Sequence, residues 1–189
     1  MRVLTRPSNF PLQRTGFVIR RAVVGDREAA LRIAAAGMRE FGLEPDFHGL
    51  DADLGLLGEE RPDVVAEFVA VAENAVCGSV VLTVKADAIG KLSGLYVNPV
   101  HRGQGVGRTL LKAAVDAGRS RGLARLYLET WGKMATAVRL YESSGWVRGE
   151  DPPASSGADR SYWLELARLT PRSTGRAPRA GERERWAAG

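Results

Sequence analysis

The order of apolar and polar residues along the chain predicts alternating strands and helices. Apolar positions at helical spacing predict a helix over 27–42 and a shorter one over 51–57, which begins at Asp51 as its N-cap. The same spacing predicts helices over 106–121 and 134–144. Strands are predicted over 17–22, 67–73, 76–85, 92–97, 124–131 and 161–169, with one more, of unassigned bounds, before the last, so the element order is β-α-α-β-β-β-α-β-α-β-β.

Three local signals add turns to this pattern. Glu73 and Asn74 separate two strands and predict a tight hairpin, because asparagine tolerates the left-handed conformation that such a turn needs. Gly94 lies inside a predicted strand, where glycine indicates a bulge or a close approach of a ligand. Gly145 is predicted to be the left-handed cap of the last helix.

Composition indicates one globular α/β domain. The chain has 189 residues, of which 44% are hydrophobic and 26% are charged, and no apolar run approaches the ~20 residues of a membrane span. Residues 1–16 lack the apolar core of a secretory signal. Cys77 is the single cysteine, which fits a reducing cytoplasm, and with two histidines it predicts no metal site. We therefore expect a cytoplasmic protein without a membrane partner.

The net charge of +5 is concentrated at the two ends of the chain. Residues 1–16 carry three arginines and no acid, and residues 170–189 carry five arginines and two glutamates. The 17–169 body is therefore slightly acidic, at 5 − 6 = −1. We expect a flexible N-terminal tail over 1–16 and a basic, disordered tail over 170–189, and the acidic body argues against a nucleic-acid partner.

A glycine-rich turn joins the 92–97 strand to the helix after it. Asn98 and Pro99 stop the strand, and residues 102–107 then read Arg-Gly-Gln-Gly-Val-Gly. Glycines allow the backbone to approach a ligand closely, and a helix N-terminus offers free N–H groups to an anion. This stretch, which we call the glycine loop, is therefore either a phosphate or pyrophosphate cradle or a simple turn.

The spacing of the glycines excludes two common nucleotide-binding motifs. A Walker loop would end in Gly-Lys-Ser/Thr, whereas this loop continues Gly107, Arg108, Thr109. A dinucleotide-binding fingerprint needs G-x-G-x-x-G early in a strand-helix-strand unit. The remaining pattern, Arg102-x-x-Gly105-x-Gly107 after a strand, resembles the signature of the GNAT superfamily of acyl-CoA-dependent N-acetyltransferases.

A second stretch carries the same resemblance. Residues 136–146 read Thr-Ala-Val-Arg-Leu-Tyr-Glu-Ser-Ser-Gly-Trp, which is similar to the family pattern A-x-x-L-Y-E-x-x-G-F. The two blocks imply the GNAT acyl-CoA N-acyltransferase fold over 17–169, in which homodimers are common. They imply acetyl-CoA as co-substrate, bound by Leu95, Tyr96, Val97, Arg102, Gly103, Gln104, Gly105, Val106, Gly107, Arg108, Thr109, Ala137, Leu140 and Tyr141.

Three catalytic roles follow from the resemblance and from the chemistry of amine acetylation. Tyr141 corresponds to the family's general acid, and a phenol with a pKa of about 10 can protonate a departing thiolate. The Val97 N–H is expected to stabilise the oxyanion. Relatives often carry a glutamate that acts as the general base, at a position occupied here by Lys91 or Ser93. Glu129 on the neighbouring strand is therefore the candidate general base, with a water chain as the alternative.

Two features leave the function open at this stage. Met134 stands where the family usually has an asparagine, seven residues before the tyrosine, which puts a polar contact to the cofactor arm or acceptor in doubt. Between Glu40 and Glu67 there are nine acids and one arginine, a composition that would attract a cationic amine or simply be solvated. The expected function is acetyl transfer to a primary amine of a small molecule or protein, and the alternative is a non-catalytic acyl-CoA-binding regulatory domain.

Overall fold

A computed structural model describes residues 16–86 and 88–166. The four helices are α1 (Arg27–Arg39), α2 (Ala52–Gly55), α3 (Val106–Arg121) and α4 (Ala135–Ser143). The seven strands are β1 (Phe17–Arg21), β2 (Val64–Ala72), β3 (Ala75–Ala86), β4 (Ile89–Val97), β5 (Arg125–Thr130), β6 (Val147–Arg148) and β7 (Arg160–Glu165). The predicted mixed α/β class and element order are confirmed, while the predicted tails at 1–16 and 170–189 lie almost entirely outside the described residues.

One mixed sheet of seven strands organises the domain. The strands lie in the order β1-β2-β3-β4-β5-β7-β6, and among the described residues only the β4–β5 pair is parallel. Successive residues of a strand point to opposite faces, so Val69 and Val81 pack with α1 and α2. Their neighbours Ala70 and Val80 pack with α3 on the other face. The helices therefore cover both sides of the central strands.

Strands β4 and β5 separate beyond their first three pairs. Ile89–Lys91 pairs with Arg125–Tyr127, and no later residue of β4 pairs with β5. Beyond that point β4 stays paired with β3 as far as Val97, and β5 stays paired with β7 as far as Thr130. The result is an open wedge between two parallel strands, which we call the β4–β5 gap.

Two of the predicted local features are present as expected. Glu73 and Asn74 have φ values of 51° and 64° and join β2 to β3 in a tight turn. Gly94 has a φ of 62° and lies in a bulge, because the pairing shifts between Ser79↔Tyr96 and Val81↔Ser93. The bulge turns the backbone of β4 at the edge of the β4–β5 gap.

Asp51 occupies the predicted N-cap position of α2, but its side chain makes no capping hydrogen bond and instead contacts β4. Some predicted bounds also differ. The first helix ends at Arg39 rather than at 42, and β4 begins at Ile89 rather than at 92, because its first residues pair with β5.

Replacing Asp26 tests how much the ion pair between β1 and the start of α1 stabilises the fold. Its buried carboxylate accepts two bonds from Arg20, at 2.6 and 2.8 Å, and one from the Val23 N–H at 2.9 Å. The Arg20 bonds lower the pKa of Asp26 below its ordinary 3.8, so their stabilisation is present above pH 3.8 and is lost as pH falls through the folded-state pKa. Because Arg20 is half exposed, we expect Asp26→Asn to lower the unfolding free energy by only about 1–2 kcal/mol at pH 7.

Urea unfolding at pH 7 and at successively lower pH values measures this difference. Asp116→Asn is the control, because Asp116 forms only exposed pairs with Lys112 and Arg119 and should lose less than about 0.5 kcal/mol. Equal stability of Asp26→Asn and the wild type at pH 7 would contradict the assignment.

Candidate active site

The glycine loop places an uncapped helix N-terminus beside an open cavity. Gly103 and Gly105 have φ values of 74° and 85°, and a side chain at either position would find no atom within 4 Å. Gly105 is the N-cap of α3 and offers no side chain to its first turn. The N–H groups of that turn can therefore meet an anion directly, as a phosphate cradle requires.

The cavity beside this loop, which we call the loop pocket, has a volume of about 450 Å³. It lies between the glycine loop, the end of β4 and α4. Of the residues predicted to bind the cofactor, the loop pocket is lined by Leu95, Tyr96, Val97, Arg102, Gly103, Gly105, Val106, Gly107, Arg108, Ala137 and Leu140.

Three predicted cofactor contacts, Gln104, Thr109 and Tyr141, do not line the loop pocket, and Tyr141 lines the neighbouring cavity instead. The Gln104 amide donates to the Val100 carbonyl at 3.1 Å, and the Thr109 hydroxyl donates to the Gly105 carbonyl at 3.0 Å. Both side chains therefore brace the backbone of the loop and the first turn of α3. The backbone N–H of Gln104 remains in the predicted cradle, whereas the Thr109 N–H donates to the Gly105 carbonyl at 3.0 Å.

Arg102 is engaged within the protein. Its guanidinium donates to the Glu40 carboxylate at 2.6 and 3.2 Å and to the Val97 carbonyl at 3.2 Å. These bonds tie the glycine loop to the end of α1 and to β4. Arg108 and Arg139 also line the loop pocket and add positive charge beside the helix N-terminus.

A second, smaller cavity of about 30 Å³ lies in the β4–β5 gap, and we call it the gap cavity. It adjoins the loop pocket, since Leu95, Tyr96, Met134 and Ala137 line both. Tyr141 lines the gap cavity rather than the loop pocket. Burial, and to a smaller extent the charge of Asp51, raises the pKa of the Tyr141 phenol, so the hydroxyl stays protonated at neutral pH.

The backbone of Val97 faces the β4–β5 gap. The Asn98 N–H donates to the Cys77 carbonyl at 2.8 Å, while Val97 lies opposite Gly78. In an antiparallel ladder, this pattern makes Val97 and Gly78 a non-hydrogen-bonded pair. The Val97 N–H therefore points away from β3, toward the side where β5 no longer pairs with β4.

Two carboxylates line the gap cavity, and the sequence predicted only one of them, Glu129, as a candidate base. Glu129 lines the cavity and accepts a bond from the Tyr127 hydroxyl at 2.6 Å. Asp51 lines it too, although its local sequence predicts a helix cap. The acid-rich stretch over 40–67 is the sequence feature that could have indicated Asp51 as a site residue, since this stretch precedes the two strands that form the gap.

Part of that acid-rich stretch is paired with neighbouring cations. Arg61 contacts three of the acids, and Arg27 and Arg102 each contact one. Five of the nine acids are thus paired, but the three arginines carry only three positive charges, so the expected negative rim is weakened rather than removed. The acids paired in this way are Glu40, Asp53, Glu59, Asp63 and Glu67.

Two other kinds of site are absent from the described part of the chain. Over 16–86 and 88–166, no three His, Cys, Asp or Glu side chains cluster so as to hold a metal ion. Within the same ranges, no helix has the length and apolarity needed to cross a bilayer.

Two characterised proteins resemble this chain in sequence. A streptothricin acetyltransferase of Streptomyces lavendulae is 33% identical over 105 residues, covering 54% of this chain and 54% of that protein. A ribosomal protein bS18 alanine N-acetyltransferase of Escherichia coli (strain K12) is 42% identical over 79 residues, covering 40% of this chain and 53% of that protein. The chain thus spans about half the length of each of these relatives.

A solved structure and a family profile complete the comparison. The PaiA N-acetyltransferase of Thermoplasma acidophilum, solved in complex with coenzyme A, superposes with a TM-score of 0.65 at 19% identity, covering 80% of this chain and 99% of that one. This likeness shows that the fold is shared. A profile of the acetyltransferase (GNAT) family matches residues 33–146, more than half of the 189 residues. The chain therefore belongs to the acetyltransferase (GNAT) family.

Proposed function

We propose that the protein transfers an acetyl group from acetyl-CoA directly to a primary amine of a small molecule or protein. The observation that carries the proposal is the junction of the two cavities. The loop pocket ends at an uncapped helix N-terminus, and it adjoins a cavity lined by the buried hydroxyl-bearing side chain of Tyr141. A cofactor extended along both cavities would bring its thioester to the β4–β5 gap.

The glycine loop supplies the proposed pyrophosphate site. The N–H groups over 103–108 and the dipole of α3 favour an anion there, and Arg108 lies beside them. Acetyl-CoA, when bound, supplies the activated acetyl group.

The residues of the β4–β5 gap supply the proposed chemistry. The Val97 N–H donates to the carbonyl oxygen of the thioester and stabilises the negative charge that develops there during attack. The Tyr141 hydroxyl donates a proton to the sulfur as the carbon–sulfur bond breaks. Glu129 and Asp51 are the two carboxylates of the gap cavity that could receive the proton of the amine.

Two further expectations belong to the proposal. The acceptor is an amine, because the acetyl groups in the two named relatives go to streptothricin and to the alanine of a ribosomal protein. Buried Cys77, a free thiol, is compatible with the reducing cytoplasm that we propose as its compartment.

Calorimetry with acetyl-CoA, followed by a thiol-release assay over a panel of primary amines, tests the proposal. Saturable binding together with amine-dependent thiol release is the expected result. Binding without release for any amine would favour the regulatory alternative, which Met134 supports because a buried thioether replaces a polar group at the cavity junction. Absence of binding would contradict both.

A further inference from the structure

The Asp51 carboxylate is buried at the wall of the gap cavity. Only 4% of the residue is exposed. One carboxylate oxygen accepts from the Gly94 N–H at 3.0 Å, and the other accepts from the Tyr96 hydroxyl at 2.6 Å. Each oxygen keeps a free lone pair, because a carboxylate can accept about four hydrogen bonds. The group can therefore receive a further donor from the cavity.

The position of Asp51 is fixed by the bulge in β4. Gly94 has a φ of 62° and directs its N–H to Asp51 rather than into the sheet. A Cβ at Gly94 would lie 3.1 Å from Leu54, one turn beyond Asp51, so the bulge and α2 fit closely together. The carboxylate is thus held against the strand at the point where the thioester would lie.

A hydrogen-bond network around Asp53 holds α2, and with it Asp51, in place. Asp53 accepts from Arg61 at 3.1 Å and from Ser93 at 3.3 Å, and Arg61 also contacts Glu67. Asp53 and Glu67 are therefore buried with a cation partner. Asp51, two residues before Asp53, takes no part in the salt bridges that the described residues form.

The charge of Asp51 is left without a direct counter-ion. Lys91, the nearby cation, donates to the Leu50 carbonyl at 3.2 Å and forms no salt bridge with Asp51 in the described ranges. Burial raises the pKa of the Asp51 carboxyl, against the lowering effects of the Tyr96 and Gly94 hydrogen bonds and of Lys91. A buried, unpaired carboxylate beside a cavity is suited to bind a cation or to accept a proton.

We propose that Asp51, supported by the Tyr96 hydroxyl, receives the ammonium group of the acceptor and takes its proton. This inference rests on the proposed function. It identifies the acceptor as a cationic primary amine and selects Asp51 over Glu129. Glu129 is only half-buried, and it accepts a bond from the Tyr127 hydroxyl at 2.6 Å, whereas Asp51 is buried at the cavity wall.

The proton transfers balance across one reaction cycle. The R–NH3⁺ acceptor gives one proton to Asp51, and the resulting R–NH2 forms a bond to the acetyl carbon. The carbon–sulfur bond then breaks, and Tyr141 protonates the sulfur. The amide nitrogen loses its second proton, which restores the Tyr141 hydroxyl, and Asp51 releases its proton to solvent. The net products are the acetylated amine, free thiol and one proton.

Several ionisable groups face Asp51 and influence the pKa of its carboxyl. Lys91 and Tyr96 approach from β4, and Tyr141 approaches from α4. Asp53 lies on α2, and Glu129 faces the cavity from β5. Tyr96 has a pKa well above its ordinary value because of its burial and the Asp51 charge, so it remains a donor to the carboxylate at neutral pH.

The pH profile of kcat/KM for Asp51→Asn tests this inference, with the most active cationic amine of the panel as acceptor. In the wild type, kcat/KM should reach a plateau between the pKa of Asp51 and that of the amine. Without the base, only pre-formed R–NH2 reacts. We therefore expect Asp51→Asn to be about 100-fold slower at pH 7 and to gain tenfold per pH unit up to the amine pKa.

Two matched variants separate this role from a structural one. Asp53→Asn removes the neighbouring buried acid and should lower stability while keeping the plateau, because Asp53 faces Arg61 rather than the cavity. Glu129→Gln tests the other carboxylate of the gap cavity: if Glu129 were the base, this variant rather than Asp51→Asn would lose the plateau. Calorimetry with acetyl-CoA confirms that each variant is folded, and Asp51→Asn should bind it within about twofold of the wild type.

Each outcome decides between the hypotheses. A plateau that persists in Asp51→Asn, or one that is lost only in Glu129→Gln, overturns the assignment and leaves the proposed function intact. An Asp51→Asn protein that neither folds nor binds acetyl-CoA shows that Asp51 is structural and also overturns the assignment. A wild-type protein that acetylates no amine overturns the proposed function, and the assignment falls with it.

Discussion

Replacing Gly105 by valine should weaken acetyl-CoA binding at least about 100-fold. Gly105 has a φ of 85°, which a β-branched residue adopts only with strain. The new side chain would also project into open space at the N-terminus of α3, where the proposed pyrophosphate would lie. Relaxation of the strain would move the N–H groups of the cradle. Calorimetric titration with acetyl-CoA measures the loss.

The other end of the same helix provides the control for this variant. Gly122 is the C-cap of α3 and has a φ of 83°, and a Cβ at this position would likewise find no atom within 4 Å. Gly122→Val should therefore lose similar stability, about 1–3 kcal/mol, with unchanged affinity for acetyl-CoA. Equal affinities of the two variants would show that the glycine loop is only a turn.

Replacing Tyr141 by phenylalanine should lower kcat about 100-fold while KM for acetyl-CoA changes less than about threefold. The variant keeps the ring that packs against Trp146 and Tyr162, with centroid distances of 6.0 Å to each, and removes only the proton donor. A thiolate that leaves without a proton has a higher barrier, so the chemical step slows. Steady-state thiol release measures both constants.

Tyr162→Phe is the matched control for the loss of the phenol. Tyr162 is completely buried next to Tyr141, but its hydroxyl donates to Glu142 at 3.0 Å and it does not line the gap cavity. We expect a loss of stability with kcat within about threefold of the wild type. If Tyr141→Phe and Tyr162→Phe have the same kcat, Tyr141 is a packing residue and not the general acid.

Features that depend on one residue's backbone preference were predictable from the sequence. Asn74, Gly94 and Gly145 have positive φ values, and each lies in the turn, bulge or cap that its residue type indicates, whereas Glu73 takes its positive φ from the two-residue turn that it shares with Asn74. These features are decided by interactions within a few residues, so a local pattern contains the necessary information. The same reasoning located the glycine loop at the start of α3.

The β4–β5 gap could not be predicted because strand separation depends on distant partners. The sequence identifies Leu95 to Val97 as strand, but not where pairing with β5 ends. Pairing with β5 ends after Lys91, shortly before the bulge of β4 at Gly94, while β5 stays paired with β7 along its whole length. The outward direction of the Val97 N–H follows from a register that links it to Gly78.

Two site residues escape local reasoning because their partners lie far away in the sequence. Asp51 sits in a capping position, yet it contacts Gly94 and Tyr96, 43 and 45 residues later. Arg102 is expected from its motif to lie beside phosphate, and its present partner, Glu40, lies 62 residues earlier. In both cases the side chain hydrogen-bonds to a partner that is distant in the sequence, which a local pattern does not reveal.

The most direct test of the central claim is the stoichiometry of acetyl transfer. Wild-type protein, acetyl-CoA and a panel of cationic primary amines are incubated together, with free thiol measured by absorbance and acetylated amine measured by mass spectrometry. Our account predicts one acetylated amine for each thiol released, for at least one amine. Tight acetyl-CoA binding with no acetylated product from any amine would contradict it.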